Sequence, residues 1–211
     1  MNPKIYGLLL AAIWLLNSCQ KENMVGPLDY IRYVRNPDNG YVKHYNSTND
    51  NLSVTAFYNP PLYVLLSKNK NIDRDKLRFI EKENNFYQFL LTFSTEKDEP
   101  IKDHLQNLLN AKIGQVGGTY EPTANAYLDF GMQANLKLAF AGDTVPCAFY
   151  HAQATGQVDN AFQIIAIFEN NRAQYRHEDL TLIIDKLPWM GHSIHFVFQK
   201  KSIEITPTLK M

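Results

Sequence analysis

The segment Asn135-Leu136-Lys137-Leu138-Ala139-Phe140-Ala141-Gly142-Asp143-Thr144-Val145-Pro146-Cys147-Ala148-Phe149-Tyr150-His151 carries the clearest strand signal in the chain. Residues 135 to 140 alternate polar and apolar, the period of a half-buried β-strand. Ala141 to Thr144 is a turn signal, and Val145 to His151 reads as the returning partner of a hairpin. The same alternation recurs upstream in Asn51 to Phe57, which Asn59-Pro60-Pro61 stops. Phe86 to Phe93, Leu180 to Asp185 and Ser193 to Phe198 read as further strands. Ala161 to Glu169 is apolar almost throughout, which suits a strand buried on both faces. Leu62 to Ser67 fits a strand or a short helix.

Two segments have the helical period instead. Asp73 to Asn84 places Leu77 and Ile80 on one side of a charged helix. Asp98-Glu99-Pro100 is an acidic, proline-bearing helix start. Ile101, Leu105, Leu108 and Leu109 then form one apolar stripe, and the glycines from Gly114 stop it. The stripe is expected to pack on a sheet. Together these elements predict a mainly β chain: a single β-sandwich, immunoglobulin-like or related, with two inserted helices near 73–84 and 99–112. Strictly alternating strands and helices are absent, so a Rossmann or TIM arrangement is not expected.

The chain has 211 residues, with 21 Lys plus Arg against 21 Asp plus Glu. That balance leaves no basic excess for nucleic acid. The 12 Phe and 12 Tyr supply large, rigid core side chains. Only two cysteines occur, Cys19 and Cys147, which excludes a disulfide scaffold and a zinc site built from cysteine pairs. Before the first of them, Gly7 to Leu16 is an uninterrupted apolar run with Lys4 as the only preceding charge. A spanning helix needs about 20 apolar residues, so this run has the length of a signal-peptide core. Leu16, Asn17, Ser18 and Cys19 close it.

That ending resembles a bacterial lipobox. The resemblance implies cleavage before Cys19, a lipid on its sulfur and an acyl group on its new amino terminus. Several chains on one cysteine anchor a protein firmly where a single chain binds only marginally. The Lys21-Glu22 pair resembles the surface-export signal of Bacteroidota lipoproteins. With Asp143-Thr144-Val145-Pro146-Cys147 entering a strand, the mature chain looks like the uncharacterised envelope lipoproteins of that group. The resemblance implies an outer-membrane anchor and a domain facing the cell exterior or, failing that, the periplasm. It assigns no activity. The expected organisation is a signal peptide over 1–18, a tether over 19–27 and one β-rich domain over 28–211.

Asp143-Thr144-Val145 also resembles the O-glycosylation signal of the same group, with the glycan on Thr144; the bland reading is a plain turn. Gly191-His192-Ser193-Ile194-His195 begins like a nucleophile elbow, but His195 stands where a glycine is needed and a strand follows. Histidines three apart on a strand face opposite sides and cannot share a metal. His151 and His177 have no readable cluster. Gly114-Gln115-Val116-Gly117-Gly118 lacks the spacing of a phosphate loop. Cys147 sits in an apolar strand on the face of Phe149, with His151 about 13 Å along it, so it reads as a buried hydrophobe. No catalytic residue, metal or cofactor is expected.

Three functions compete. The first is a non-enzymatic binding or accessory module at the outer membrane, presenting aromatic side chains to a protein or glycan partner. Tyr58, Tyr63 and above all Trp189 are its candidate contacts, although Trp189 also suits a core plug. The second is a subunit of an envelope secretion or assembly complex, which calls for an exposed apolar face on residues 101 to 109. The third is a hydrolase, which calls for histidines gathered with an acid in a cleft.

Overall fold

A computed structural model describes residues 24–68, 75, 86–97, 99–113, 126–140, 142–153, 160–169, 178–204 and 207–210. In chain order the elements are β1 (Met24–Val25), α1 (Pro27–Arg35), β2 (Val42–Ser47), β3 (Leu52–Asn59), α2 (Pro61–Lys68), β4 (Phe86–Thr95) and α3 (Ile101–Ile113). They continue with β5 (Leu136–Phe140), β6 (Asp143–Pro146), β7 (Phe149–Gln153), β8 (Ala161–Glu169), β9 (Leu180–Ile184), β10 (Ile194–Phe198), α4 (Lys200–Glu204) and β11 (Thr208–Leu209). Of the helix expected over 73–84, only Asp75 is described, and it is helical. The rest of that segment, Cys19, His177 and the glycines at 114–118 lie outside the described residues.

The protein is mainly β, with two antiparallel sheets facing one core, the arrangement of a β-sandwich. One sheet has five strands in the order β2-β3-β4-β8-β7, the other four in the order β10-β9-β5-β6. Alternation decides which side chains meet between them. Val54, Ala56 and Tyr58 of β3, Phe89, Leu91 and Phe93 of β4, and Ile164, Ala166 and Phe168 of β8 are buried. Leu136 and Leu138 of β5 and Leu182 and Ile184 of β9 oppose them from the second sheet. Phe89 is the hub, with ring centroids 5.3 Å from Tyr58, 5.7 Å from Phe168 and 5.3 Å from Phe198 of β10. Each such aromatic pair contributes about 0.5–1.5 kcal/mol beyond the area it buries.

The hairpin expected from Val145 to His151 is only half formed. β6 pairs with β5 as far as Pro146, which opposes Lys137. There the partner runs out, because β5 begins at Leu136 after a 3-10 turn over Met132–Asn135. The Cys147 N–H still donates to the Leu136 carbonyl at 3.1 Å, but the next N–H, of Ala148, donates to Ile167 of β8 at 2.9 Å. Two adjacent residues thus bond to opposite sheets, and β7 continues in the five-stranded one. The alternation breaks with it: Cys147 is buried while Phe149 is exposed, so the two do not share a face.

α1 opens with Pro27 at its first turn and has Asp29 early and Arg32 and Arg35 late, as the helix dipole favours. It buries Tyr30 and Val34, one turn apart on the same face. Met24 and Val25, at the end of the stretch read as a tether, pair in parallel with Thr208 and Leu209. α3 buries Ile101, Leu105 and Leu109, the stripe read from the sequence. β8 is not enclosed on both faces. Its outward Gln163, Ile165 and Ile167 are only half-buried, and among the described residues α2 lies over part of that face.

Candidate functional site

That face holds an apolar concavity. Register aligns Asn59, Gln88, Ile167 and Phe149 in one row across β3, β4, β8 and β7. Phe86 and Glu169 form the next row on the same side. α2 lies across the β3 end, where Tyr63 packs edge-on against Phe57 at 5.2 Å. Between α2 and the row opens an apolar groove of about 510 Å³. Leu65 and Val64 form its helical wall and Ile167 lies in its floor. Phe86 and Phe149 rim it, 48% and 54% exposed. Lys68 and Glu169 place one charge of each sign on the rim. Asn59 is 7% exposed and lines the groove, and its buried Oδ1 has no hydrogen-bond partner among the described residues. A buried acceptor left unpaired is costly, so it favours a ligand bearing a donor.

A second, polar hollow of about 590 Å³ lies between the β2–β3 turn and the β9–β10 loop. Trp189 lines it. The indole is nonetheless 0% exposed, packs edge-on against Tyr127 at 5.3 Å and leaves its Nε1 without a partner among the described residues. Trp189 therefore presents no ring face to solvent. Tyr58 and Tyr63 are buried as well, and Tyr63 accepts a hydrogen bond from Arg35 Nε at 2.8 Å. Thr144 is exposed on β6, the last strand of its sheet.

Among the described residues the histidines, Ser193 and Cys147 are dispersed. His151 is exposed on β7, its ring stacked on Phe149, while His195 is exposed on β10. His192 bonds through Nε2 to the Tyr45 hydroxyl at 2.7 Å. The Ser193 hydroxyl donates to Asp185 at 2.7 Å, and Lys137 reaches the same carboxylate at 3.0 Å. The Ser193 bond, then the Lys137 bond, hold the Asp185 carboxyl below the usual range. An ionised carboxylate already neutralised by a lysine is a poor base for a serine, and no imidazole stands between them. Burial pushes the Cys147 thiol up to about 11, the opposite of what a nucleophile needs. Among the described residues no three His, Cys, Asp or Glu side chains gather to hold a metal.

Sequence reasoning missed the groove, although a signal for it exists. Phe57, Leu90, Ile165 and Ile167 are apolar at positions that alternation turns away from the core. A sheet face that stays apolar outward, and that the described residues cover only in part, is the mark of a binding surface. His104 was also passed over. It is 1% exposed, with Nδ1 2.8 Å from Glu99 and Nε2 2.7 Å from the Asp50 carbonyl, and so ties α3 to the β2–β3 turn.

Fold and groove together define an antiparallel two-sheet β protein with an apolar cleft on one outer face. Compared with family models, with curated proteins and with solved structures, the chain matches none.

Proposed function

We propose that this is a lipid-anchored lipoprotein of a bacterial outer membrane, whose domain is a non-enzymatic module that binds an extended segment of another protein. The groove carries the binding reading: two exposed phenylalanines flank an apolar floor that also holds the Asn59 acceptor, unpaired among the described residues. β7 borders that groove and is the last strand of its sheet. An added strand beside β7 would gain main-chain hydrogen bonds and lay an apolar side chain in the groove. Lys68 and Glu169 on the rim suit a peptide, which carries both signs, better than the single-sign headgroup of a lipid.

A photo-cross-linking residue replacing Phe149, in cells making the full chain, is expected to give a discrete adduct with one envelope protein. The cross-linked stretch, made as a synthetic peptide, is expected to bind the purified chain and to lose at least about tenfold on Ile167→Glu. No adduct, the same adducts from a probe at exposed Lys201, or an internal cross-link to residues 69 to 85 would overturn the reading. The competing reading as a subunit of a secretion or assembly complex called for an apolar face on α3. Ile101, Leu105 and Leu109 of that helix are turned into the core.

The anchor is Cys19, and the Lys21-Glu22 pair directs the domain outward. Labelled palmitate is expected on the chain and not on Cys19→Ser, and protease added to intact cells is expected to cleave the domain. Thr144 carries the O-glycan, so Thr144→Ala is expected to abolish the corresponding mass increment. The sandwich itself is immunoglobulin-like. Lettering β3 to β10 in order as A, B, C, C′, D, E, F and G turns the sheets into A-B-E-D and G-F-C-C′, with β2 as an extra strand beside A.

A further inference from the structure

We infer that the polar hollow between the β2–β3 turn and the β9–β10 loop is a second binding site, and that its ligand is a sugar. The site shares no residue with the groove. Its wall is Tyr45, Thr48, Asn49 and Asp50, its other side is His192, and Trp189 lies at its base. Two observations point to a ligand. The first is the fully buried Trp189 Nε1, a donor with no acceptor among the described residues. Indole N–H groups that are buried normally find a partner. The second is the preparation of the wall. The Asp50 carboxylate receives the Ser47 hydroxyl at 2.7 Å through one oxygen, and its carbonyl receives His104. The Tyr45 and His192 rings are locked by their 2.7 Å hydrogen bond, with centroids 5.8 Å apart and a tilt of 55°. Side chains held from behind lose little entropy when a ligand arrives.

The chemistry of the lining selects the ligand class. Among the described residues Asp50 is the only formal charge and no lysine or arginine lines the hollow, so a phosphate or carboxylate would be repelled. The wall is too polar for an acyl chain. Asparagine, threonine and aspartate offer donors and acceptors at close spacing, which a row of hydroxyls can match because each hydroxyl both donates and accepts. One hydroxyl would donate to Asp50, and a small shift at the base of the hollow would bring a neighbour within reach of the buried Trp189 Nε1. The apolar C–H face of a pyranose would lie against Tyr45.

The test uses the full chain in an amine-oxide detergent, which carries no sugar headgroup. Cleavage before Cys19 removes Trp14, the other tryptophan of the sequence, so nitrogen-15 tryptophan gives one indole N–H resonance, that of Trp189. Glucose, galactose, mannose, N-acetylglucosamine and their disaccharides are titrated to about 100 mM, where millimolar binding saturates. At least one is expected to move that resonance saturably, and Thr48→Val with Asn49→Ala, both exposed positions, is expected to weaken it at least about tenfold. Trp189→Phe keeps a ring in the core and is expected to lower affinity measured by calorimetry. A native spectrum unmoved by every sugar would overturn the proposal. So would an equal shift with inorganic phosphate, or sugar binding indifferent to the Thr48 and Asn49 changes.

Discussion

His104 sits between two acceptors. The Asp50 carbonyl can only accept, so Nε2 carries a hydrogen, and Nδ1 lies 2.8 Å from the Glu99 carboxyl. His104→Ala would leave that carbonyl and Glu99 without the bond and open a void under α3. We expect a loss of about 2–4 kcal/mol, read as a lower urea midpoint at unchanged m-value. His104→Gln keeps one donor and is expected to lose less. Cys147 makes the opposite case, a group that is chemically idle because it is buried. With its thiol pushed up to about 11, its thiolate fraction near neutral pH is roughly a hundredfold below that of a free cysteine. In the Cys19→Ser chain Cys147 is the sole thiol, so labelling is expected to be slow in buffer and fast in urea. Rapid labelling of the native state would contradict the burial.

The crossing between sheets at Cys147 and Ala148 is the element on which the sandwich depends. The two amides donate to Leu136 and Ile167, in different sheets. Both are expected to exchange with solvent as slowly as the interior of β8, although one bonds to each side of a chain crossing. Ala148→Pro removes the Ile167 bond and is expected to cost about 1–3 kcal/mol, with the neighbouring Cys147 amide exchanging faster than in the parent chain. Fast exchange at Ala148 in the native protein would show that the crossing is not closed. The crossing also marks the limit of what was legible in the sequence. Alternation showed β3 and β5 at nearly their observed bounds, because each has one face in the core, while apolar and aromatic runs marked β4, β8, β9 and β10. It could not show where β6 would leave β5, since that depends on how far the partner extends. β2 escaped notice because Val42-Lys43-His44-Tyr45-Asn46-Ser47 is a mostly polar edge strand. α1 escaped because Gly26-Pro27 reads equally as a stop and as a start. The groove was hidden for a related reason: alternation says which way Ile165 and Ile167 point and is silent on what covers them.

At the scale of the molecule, the two sheets meet at both edges. β6 runs on into β7 at one, and Tyr45 of β2 bonds to His192 before β10 at the other. β1 and β11 hold the described ends of the chain together. Inside lies a core rich in phenols, and that composition has a consequence for pH. Burial, followed by neighbouring phenols, pushes Tyr30 and Tyr58 well above the usual tyrosine value near 10. The folded state therefore keeps protons that the unfolded chain releases above about pH 10, and stability must fall as pH rises. Cys147 adds to the slope from about 9 up to its folded value of about 11, over which only the unfolded chain ionises. One unit above the unfolded value each phenol withdraws about 1.4 kcal/mol, so Tyr30 and Tyr58 together remove about 3 kcal/mol. Urea midpoints are expected to decline steeply above about pH 10, and the near-ultraviolet absorbance of the buried tyrosinates should appear together with loss of β-sheet circular dichroism. Tyr58→Phe removes one titrating group and should flatten the decline by about half of that amount. Ionisation of these phenols in a still-folded chain near pH 10 would mean that water reaches them, and the closed sandwich would then be the wrong description of the core.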